Sequence, residues 1–371
     1  MTLVLNLTSI ESHAEVIRAA LLASKHVYTE TPVTEDAAET RALFDLAAEK
    51  GLHLAAAPCN ILSDTVQTMW RALRDGAVGD VKLVYAEFDD NPIYLMRPEG
   101  WRSRTGAPWP YVSEYEHGCT VEHAGYHLSW LVAMFGPVAR VTAFSKCTVA
   151  AKIETPLDPA DSPDFSVACL DFASGVTARM TMSIVAPYDQ RLRVIGDRGE
   201  LWTDTYRHFR NPVWLERFTQ LSLNGRKARA VRGSPLLQWL FGVGGRRVPL
   251  IRRAPEPGAP RPSRSPAAWL RRLKKHQLGE QDKVLGVAAL ARAIETGGPS
   301  PLPPDFCMHV NELTLAIHRA GTEGRPIALT TTCAPLAPEP FAEAADRAGA
   351  YPGDRWLDRL ADRLIARLHR H

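Results

Sequence analysis

The sequence predicts an incomplete doubly wound parallel sheet of α/β type, followed by an α+β domain whose large open, mainly antiparallel sheet is backed by helices. Three observations carry this. Over residues 1–79, short apolar runs alternate with helical patterns through short links, as in a parallel sheet. From residue 80 the runs lengthen and alternate apolar with polar residues, the period-two pattern of a strand with one packed face. No glycine-rich turn opens a helix near Met1, so only the C-terminal half of the doubly wound sheet is expected.

In chain order, residues 2–8 (TLVLNLT) read as a buried strand. Ser12 with Glu15 three residues later reads as a capping box opening a helix with Val16, Ala20 and Leu21 on one face. Residues 26–29 are a second strand. Thr34 is expected to cap the next helix, which ends at Lys50-Gly51. Residues 52–57 are a third strand and 63–75 a third helix. Val81–Asp89 alternates as a strand, and Val121, Ala124, Leu128, Leu131 and Phe135 mark a helix over about 120–135. Strands follow at 138–145, 165–172 and 176–185, the last two joined by the Ala173-Ser174-Gly175 turn. Arg191–Ile195 and Glu200–Asp204 flank Gly196-Asp197-Arg198-Gly199, and helices are expected at 284–296 and 305–320. The expected organisation is 1–79, 80–333 with a basic insertion over 221–276, and 334–371 as a linker and an amphipathic C-terminal helix over 354–370.

With 371 residues, 45% apolar and 23% charged, the chain can bury two cores. The net charge is only +3, but residues 221–276 hold 14 Lys or Arg and one acid, Glu256. No nucleic-acid-binding module accompanies that charge, so nucleic acid is not expected as a partner. Six scattered cysteines without a CxxC pair read as reduced thiols of a cytoplasmic protein. Residues 1–7 lack the basic region and cleavage site of a signal peptide, and no apolar run reaches the length of a membrane span.

Four stretches resemble, in order, the oxidoreductases of the glucose–fructose oxidoreductase, inositol dehydrogenase and MocA (Gfo/Idh/MocA) family. They are VLNLTSIESHAEVIRAALLASKHVYTETP (4–32), DGAVGDVKLVYAE (75–87), EHGCTVEHAGYHLSWLVAMFG (116–136) and RVIGDRGELW (193–202), supported by FCMHVNELTLAI. The resemblance covers about residues 2–333 and implies a first, Rossmann-like domain that binds NAD or NADP and a second that holds a sugar-like substrate. Ligands of such sheets lie beyond the carboxyl ends of the strands. On that basis Asn6, Thr8, His13, Glu30, Thr31, Pro32 and Asn60 are candidate cofactor contacts. The resemblance makes His127 the acid/base residue, with His123, Glu122 and Tyr126 beside it. Trp101, Arg102 and Tyr111, in a Gly/Pro-rich loop, are candidate sugar contacts.

The chain departs from the family pattern at two positions besides the missing glycine loop. Thr31 stands where the family's Glu-Lys-Pro has lysine, and a hydroxyl supplies neither a cation nor a base near neutrality. His123 stands where Asp-x-x-x-His has aspartate. The alternative for His127 is a buried helix histidine bonded to a carbonyl. A metal on His123 and His127 would need a third ligand; none is close in sequence, and Glu116, His117 and Glu122 are possible thirds.

The resemblance thus implies an NAD(P)-linked oxidoreductase acting on a sugar, nucleotide sugar or cyclitol hydroxyl, assembled as a homo-oligomer. The alternative is a catalytically impaired or non-redox member that serves as a binding or scaffold subunit. The segment 268–276 (AWLRRLKKH) could make a weak contact with an anionic membrane surface, bind diphosphate, or be a solvated insertion.

Overall fold

The computed structural model describes residues 2–56, 59–205, 208–254, 265–268, 270 and 282–351, and residues 356, 359–360, 363–364 and 367 of the C-terminal stretch. The side chain of Cys59, most of the Pro-rich stretch 254–266, most of the segment 268–276 and most of 354–370 lie outside the described residues. The described chain divides into two compact units: residues 1–61, 85–190 and 283–337, and residues 62–84, 191–282 and 338–371. The units therefore interleave along the chain, whereas the division expected at residue 80 is drawn in sequence order. No described helix is long and apolar enough to cross a membrane.

In the first unit, β1 (Leu3–Asn6), β2 (His26–Thr29) and β3 (Leu54–Ala56) form a parallel sheet in the order β1-β2-β3. Val4 pairs with Val27 and Val27 with Leu54. The connecting helices are α1 (His13–Leu22) and α2 (Ala37–Glu49).

Both expected caps are replaced. Ser12 has helical backbone angles and makes no capping bond, because a 3-10 turn at Ile10–Ser12 precedes α1. Asp36 caps α2 through the Glu39 N–H, and Thr34 instead donates its hydroxyl to the Asp36 carbonyl. A carboxylate at that position also suits the helix dipole.

The same unit continues with the second half of β4 (Val81–Asp89), then β7 (Thr177–Ser183), β6 (Phe165–Phe172), β5 (Val138–Lys146) and β12 (Ile327–Ala328), in that sheet order. Ala168, Leu170 and Phe172 alternate inward on β6, as do Ala178, Met180 and Met182 on β7. Against that face packs α4 (Tyr111–Phe135), longer than the sequence predicts. It breaks at Gly118, where φ is +80° and a Cβ would lie 2.7 Å from the Pro163 carbonyl oxygen. Only glycine combines that backbone with so close a neighbour. The helix buries Leu128, Trp130, Leu131 and Val132 completely or nearly so; each such side chain contributes about 1.5–3 kcal/mol.

Of the remaining helices of this unit, α7 (Val284–Thr296) matches its expected range. The other, α8 (Pro304–Glu323), packs on α2, β3, α4 and β5. Its Asn311 accepts from the Val33 N–H at 2.7 Å and donates to the Thr34 carbonyl at 3.1 Å.

The second unit holds α3 (Asp64–Arg74), the first half of β4, and the antiparallel strands β8 (Leu192–Gly196), β9 (Gly199–Thr203), β10 (Val213–Arg217) and β11 (Arg246–Val248), in the order β11-β10-β9-β8-β4. The Asp197-Arg198 turn is pinned by the Asp197 carboxylate, which accepts from the Asp80 N–H at 3.0 Å. Gly196 lies against the Val78 backbone, where a Cβ would sit 2.1 Å from the carbonyl oxygen. Two helices that the sequence pattern did not predict, α5 (Gly225–Arg232) and α6 (Pro235–Phe241), form a hairpin between β10 and β11.

Candidate active site

The carboxyl ends of β1 and β2 are tied together by local hydrogen bonds. The Glu30 N–H donates to the Asn6 carbonyl at 3.1 Å. Asn6 is buried; its amide donates to the His13 carbonyl at 3.2 Å, and its oxygen accepts from the Thr8 hydroxyl at 2.7 Å. The ring nitrogens of buried His13 lie 2.7 Å from the Pro32 carbonyl and 3.1 Å from the Thr8 carbonyl. Asn6 and His13 thus spend their polar groups on the loops themselves. Thr8 is exposed, and Glu30 and Thr31 are half-buried, so these three remain open along the rim. Two buried oxygens at this edge, Thr29 Oγ1 and Asn60 Oδ1, have no hydrogen-bond partner among the described residues.

Three contacts bring α4 to this rim. Asn60 donates its amide to the Tyr126 carbonyl at 3.1 Å, which joins the 59–62 turn to the middle of the helix. His117 Nε2 is 3.3 Å from Glu35 beyond β2. Ser113 donates its hydroxyl to Glu11 beyond β1 at 2.8 Å. His117 is so placed that its pKa rises to about 9: burial opposes the charge, but Glu35, the Ser113 carbonyl and Glu122 outweigh it. The sequence pattern points to neither Glu11 nor Glu35, and to His117 only as a possible third metal ligand, because their partners here are distant in the chain.

The four residues expected at the catalytic position differ in burial: His123 and His127 are buried, Glu122 and Tyr126 half-buried. His127 is fully buried, and its Nε2 lies 2.7 Å from the Glu87 carbonyl, to which an N–H there donates. Edge-on contacts with Phe88 and Trp130 enclose its ring. Burial lowers its pKa to about 4, only partly offset by the carbonyl contact. The expected acid/base histidine therefore sits in the packed core instead of on the rim: β4 runs directly beneath the helix and supplies the acceptor.

His123 is also buried. It stacks on Phe88 at 4.8 Å and pairs through Nε2 with Glu114 at 3.0 Å. Burial disfavours its cation, but the Glu114 carboxylate reverses that and raises its pKa. Its Nδ1 has no hydrogen-bond partner among the described residues. Glu122 and Tyr126, one turn apart, are half-buried, and the Tyr126 ring stacks on Phe88 at 5.6 Å. Burial and repulsion from Glu114 hold the Glu122 carboxyl well above the ordinary carboxylate range, against the pull of His123 and His117.

Among the described residues no group of three or more His, Cys, Asp or Glu side chains could hold a metal. In the 98–111 loop, Trp101 and Trp109 pack at 4.8 Å. Arg102 donates to the carbonyls of Glu99 and Trp101, each at 2.8 Å, so its guanidinium braces its own loop. Tyr111 is half-buried at the start of α4. No hydrogen bond among the described residues joins Trp101 or Arg102 to the cluster on α4.

Two family models match the chain: the oxidoreductase family with NAD-binding Rossmann fold over residues 2–57, and the Gfo/Idh/MocA C-terminal domain over residues 66–202. A Streptomyces violaceoruber protein named dTDP-3,4-didehydro-2,6-dideoxy-alpha-D-glucose 3-reductase is 29% identical over 198 residues, 52% of this chain and 51% of that protein. The Bos taurus trans-1,2-dihydrobenzene-1,2-diol dehydrogenase is 25% identical over 189 residues, 50% of each chain. The matched regions thus span about half the length of these relatives. Among solved structures, the WlbA dehydrogenase of Bordetella pertussis in complex with NADH and UDP-GlcNAcA has a TM-score of 0.58 at 15% identity, covering 88% of this chain and 79% of that one. The aldose-aldose oxidoreductase of Caulobacter crescentus complexed with glycerol has a TM-score of 0.59 at 19% identity, covering 89% and 79%. At such identities the structural likeness establishes the fold, and the two family models establish the kinship. The chain belongs to the Gfo/Idh/MocA family of oxidoreductases.

Proposed function

We propose that the chain is an NAD- or NADP-linked oxidoreductase acting on a hydroxyl-bearing carbon of a sugar, nucleotide sugar or cyclitol. The observation that carries this reading is Glu122, a half-buried carboxyl of raised pKa on α4, the helix that Asn60 and His117 hold against the strand ends. A carboxyl poised near neutrality is suited to general acid–base work. Carbohydrate relatives and neighbours support the substrate class.

The residues present fit the nicotinamide and ribose end of a dinucleotide. The unpartnered oxygens of Thr29 and Asn60 can accept from a carboxamide, and Thr8, Glu30 and Thr31 line an open polar rim. The described residues offer no glycine-rich strand–helix turn for the pyrophosphate, so the fit is to that end alone. When bound, the nicotinamide supplies hydride acceptance and donation.

In this mechanism Glu122, ionised, takes the substrate hydroxyl proton at a carboxylate oxygen, and its protonated form returns the proton in the reverse direction. Tyr126 orients the hydroxyl. The His123–Glu114 pair lies behind Glu122 and sets its local field. Thr31 contributes a hydroxyl where the family has an ammonium, so it supplies no positive charge to favour release of the substrate proton. His127 holds α4 to β4 as a neutral imidazole and takes no part in the proton transfer. We also place a homo-oligomer contact on the open sheet face that presents Arg140, Thr142, Phe144 and Lys146.

The test is NAD(P)H formation with a panel of aldoses, nucleotide-linked deoxysugars and cyclitols. Glu122→Gln is expected to lower kcat by about 10²–10⁴-fold with KM little changed. Wild-type kcat and an unaltered pH profile in that variant would remove the proposal.

A further inference from the structure

From the α5–α6 hairpin of the second unit, we infer that this protein has a peripheral docking surface for an anionic lipid bilayer. The hairpin has its own small core: Leu221, Ala228, Val231 and Val243, with Phe241 packed on it. Two side-chain bonds fix its shape. Gln238 donates to the Arg232 carbonyl at 2.5 Å, and Arg246 donates to the Trp239 carbonyl at 3.0 Å. On this braced scaffold α6, with the sequence PLLQWLF, buries none of its residues. Leu236 is 70% exposed, Trp239 62% and Leu223 63%. A soluble surface rarely gathers large apolar side chains in this way without a partner for them.

The charge next to this patch selects the partner. Arg226, Lys227 and Arg229 are exposed on α5, and none has an ion-pair partner among the described residues. Residues 221–255 contain no Asp or Glu. A two-fold contact with a second copy through this patch would set cations against cations. An anionic bilayer satisfies both halves: Trp and Leu enter the headgroup–acyl boundary while Arg and Lys meet the phosphates and carboxylates. In the same unit Trp356, Leu360 and Leu364, four apart, are also exposed, in a stretch where Arg359, Arg363 and Arg367 alternate with Asp358 and Asp362, so the acid-free cationic surface is that of α5–α6. This surface does not include segment 268–276, most of which lies outside the described residues.

The experiment is co-sedimentation of the full chain with vesicles of phosphatidylcholine alone and of phosphatidylcholine mixed with phosphatidylserine. The chain is expected in the pellet only with the mixed vesicles, and to leave it as salt is raised. Arg226→Gln with Arg229→Gln is expected to lower the partition coefficient about 25-fold, from about fivefold per residue at ~1 kcal/mol each. Trp239→Ser is expected to lower it further, with circular dichroism and melting temperature unchanged because the residue is exposed. Wild-type chain that stays in the supernatant with mixed vesicles overturns the inference. So does vesicle binding that both variants retain. Light scattering in which Trp239→Ser abolishes a dimer without changing vesicle binding overturns it in favour of a second copy as the occupant.

Discussion

Replacing His127 with phenylalanine separates a structural histidine from a proton carrier. In the folded chain its pKa is lowered to about 4 from an ordinary 6.5, because the ring is fully buried. A group whose folded pKa is depressed contributes its full stability above the unfolded pKa. That contribution falls as pH drops below about 6.5, because the unfolded chain then takes up a proton that the folded chain refuses. At pH 5 this loss is about 2 kcal/mol for pKa values near 6.5 and 4. Other groups move with pH as well. Asp89, raised to about 6 by burial, Glu87 and Asp189, works in the opposite sense, so the wild-type slope alone is ambiguous. The difference between wild type and His127→Phe isolates the histidine. The assay is urea unfolding at pH 7 and pH 5 for both chains. The variant also leaves the Glu87 carbonyl without its donor, which lowers stability by about 1–3 kcal/mol at both pH values. The expected result is a gap between the chains that narrows by about 2 kcal/mol on going to pH 5. A gap that does not change with pH would refute a buried, neutral His127.

Three further outcomes follow from the packing around the site. Asn311→Ala is expected to cost about 1–3 kcal/mol in urea unfolding, because the Val33 N–H and the Thr34 carbonyl lose their partner inside the first unit. Glu114→Gln removes one half of a buried ion pair with His123; the expected loss is about 3–5 kcal/mol, and unchanged stability would contradict the pairing. Glu35→Gln should lower the pKa of His117 from about 9, as read by histidine NMR titration. Because that folded pKa is raised, the stabilisation is complete below about pH 6.5 and is lost as pH rises through about 9, and the variant should lose less over this window.

Much of the fold was legible in the sequence where one pattern dominates. The period-two alternation of 81–89 and 165–172 and the apolar face of 284–296 returned elements with those bounds. Local chemistry misled at both caps: Ser12 and Thr34 are good capping residues, but the turn ahead of α1 and the carboxylate of Asp36 took precedence. The hairpin of α5 and α6 was missed because a run of Arg and Lys followed by a seven-residue apolar stretch carries no helical period long enough to see.

At the site, the family motif located α4 correctly but not the sides of the helix. The burial of His127 depends on β4 lying under the helix, a contact 40 residues away in sequence. His117 stands out in the sequence only as a possible third metal ligand, since no local spacing connects it to Glu35. Thr31 and His123 were read as departures from the motif. The structure gives His123 a buried partner in Glu114 that the motif does not contain.

The account rests on the nicotinamide end of the cofactor seating at the carboxyl ends of β1, β2 and β3. Calorimetric titration of NADH and NADPH into the wild-type chain and into Asn60→Ala measures this directly. The expected result is saturable binding of at least one cofactor by the wild type, weakened about tenfold or more by the loss of the Asn60 amide, a step of ~1.4 kcal/mol. Absence of binding by both cofactors, or equal affinity in the two chains, would contradict it.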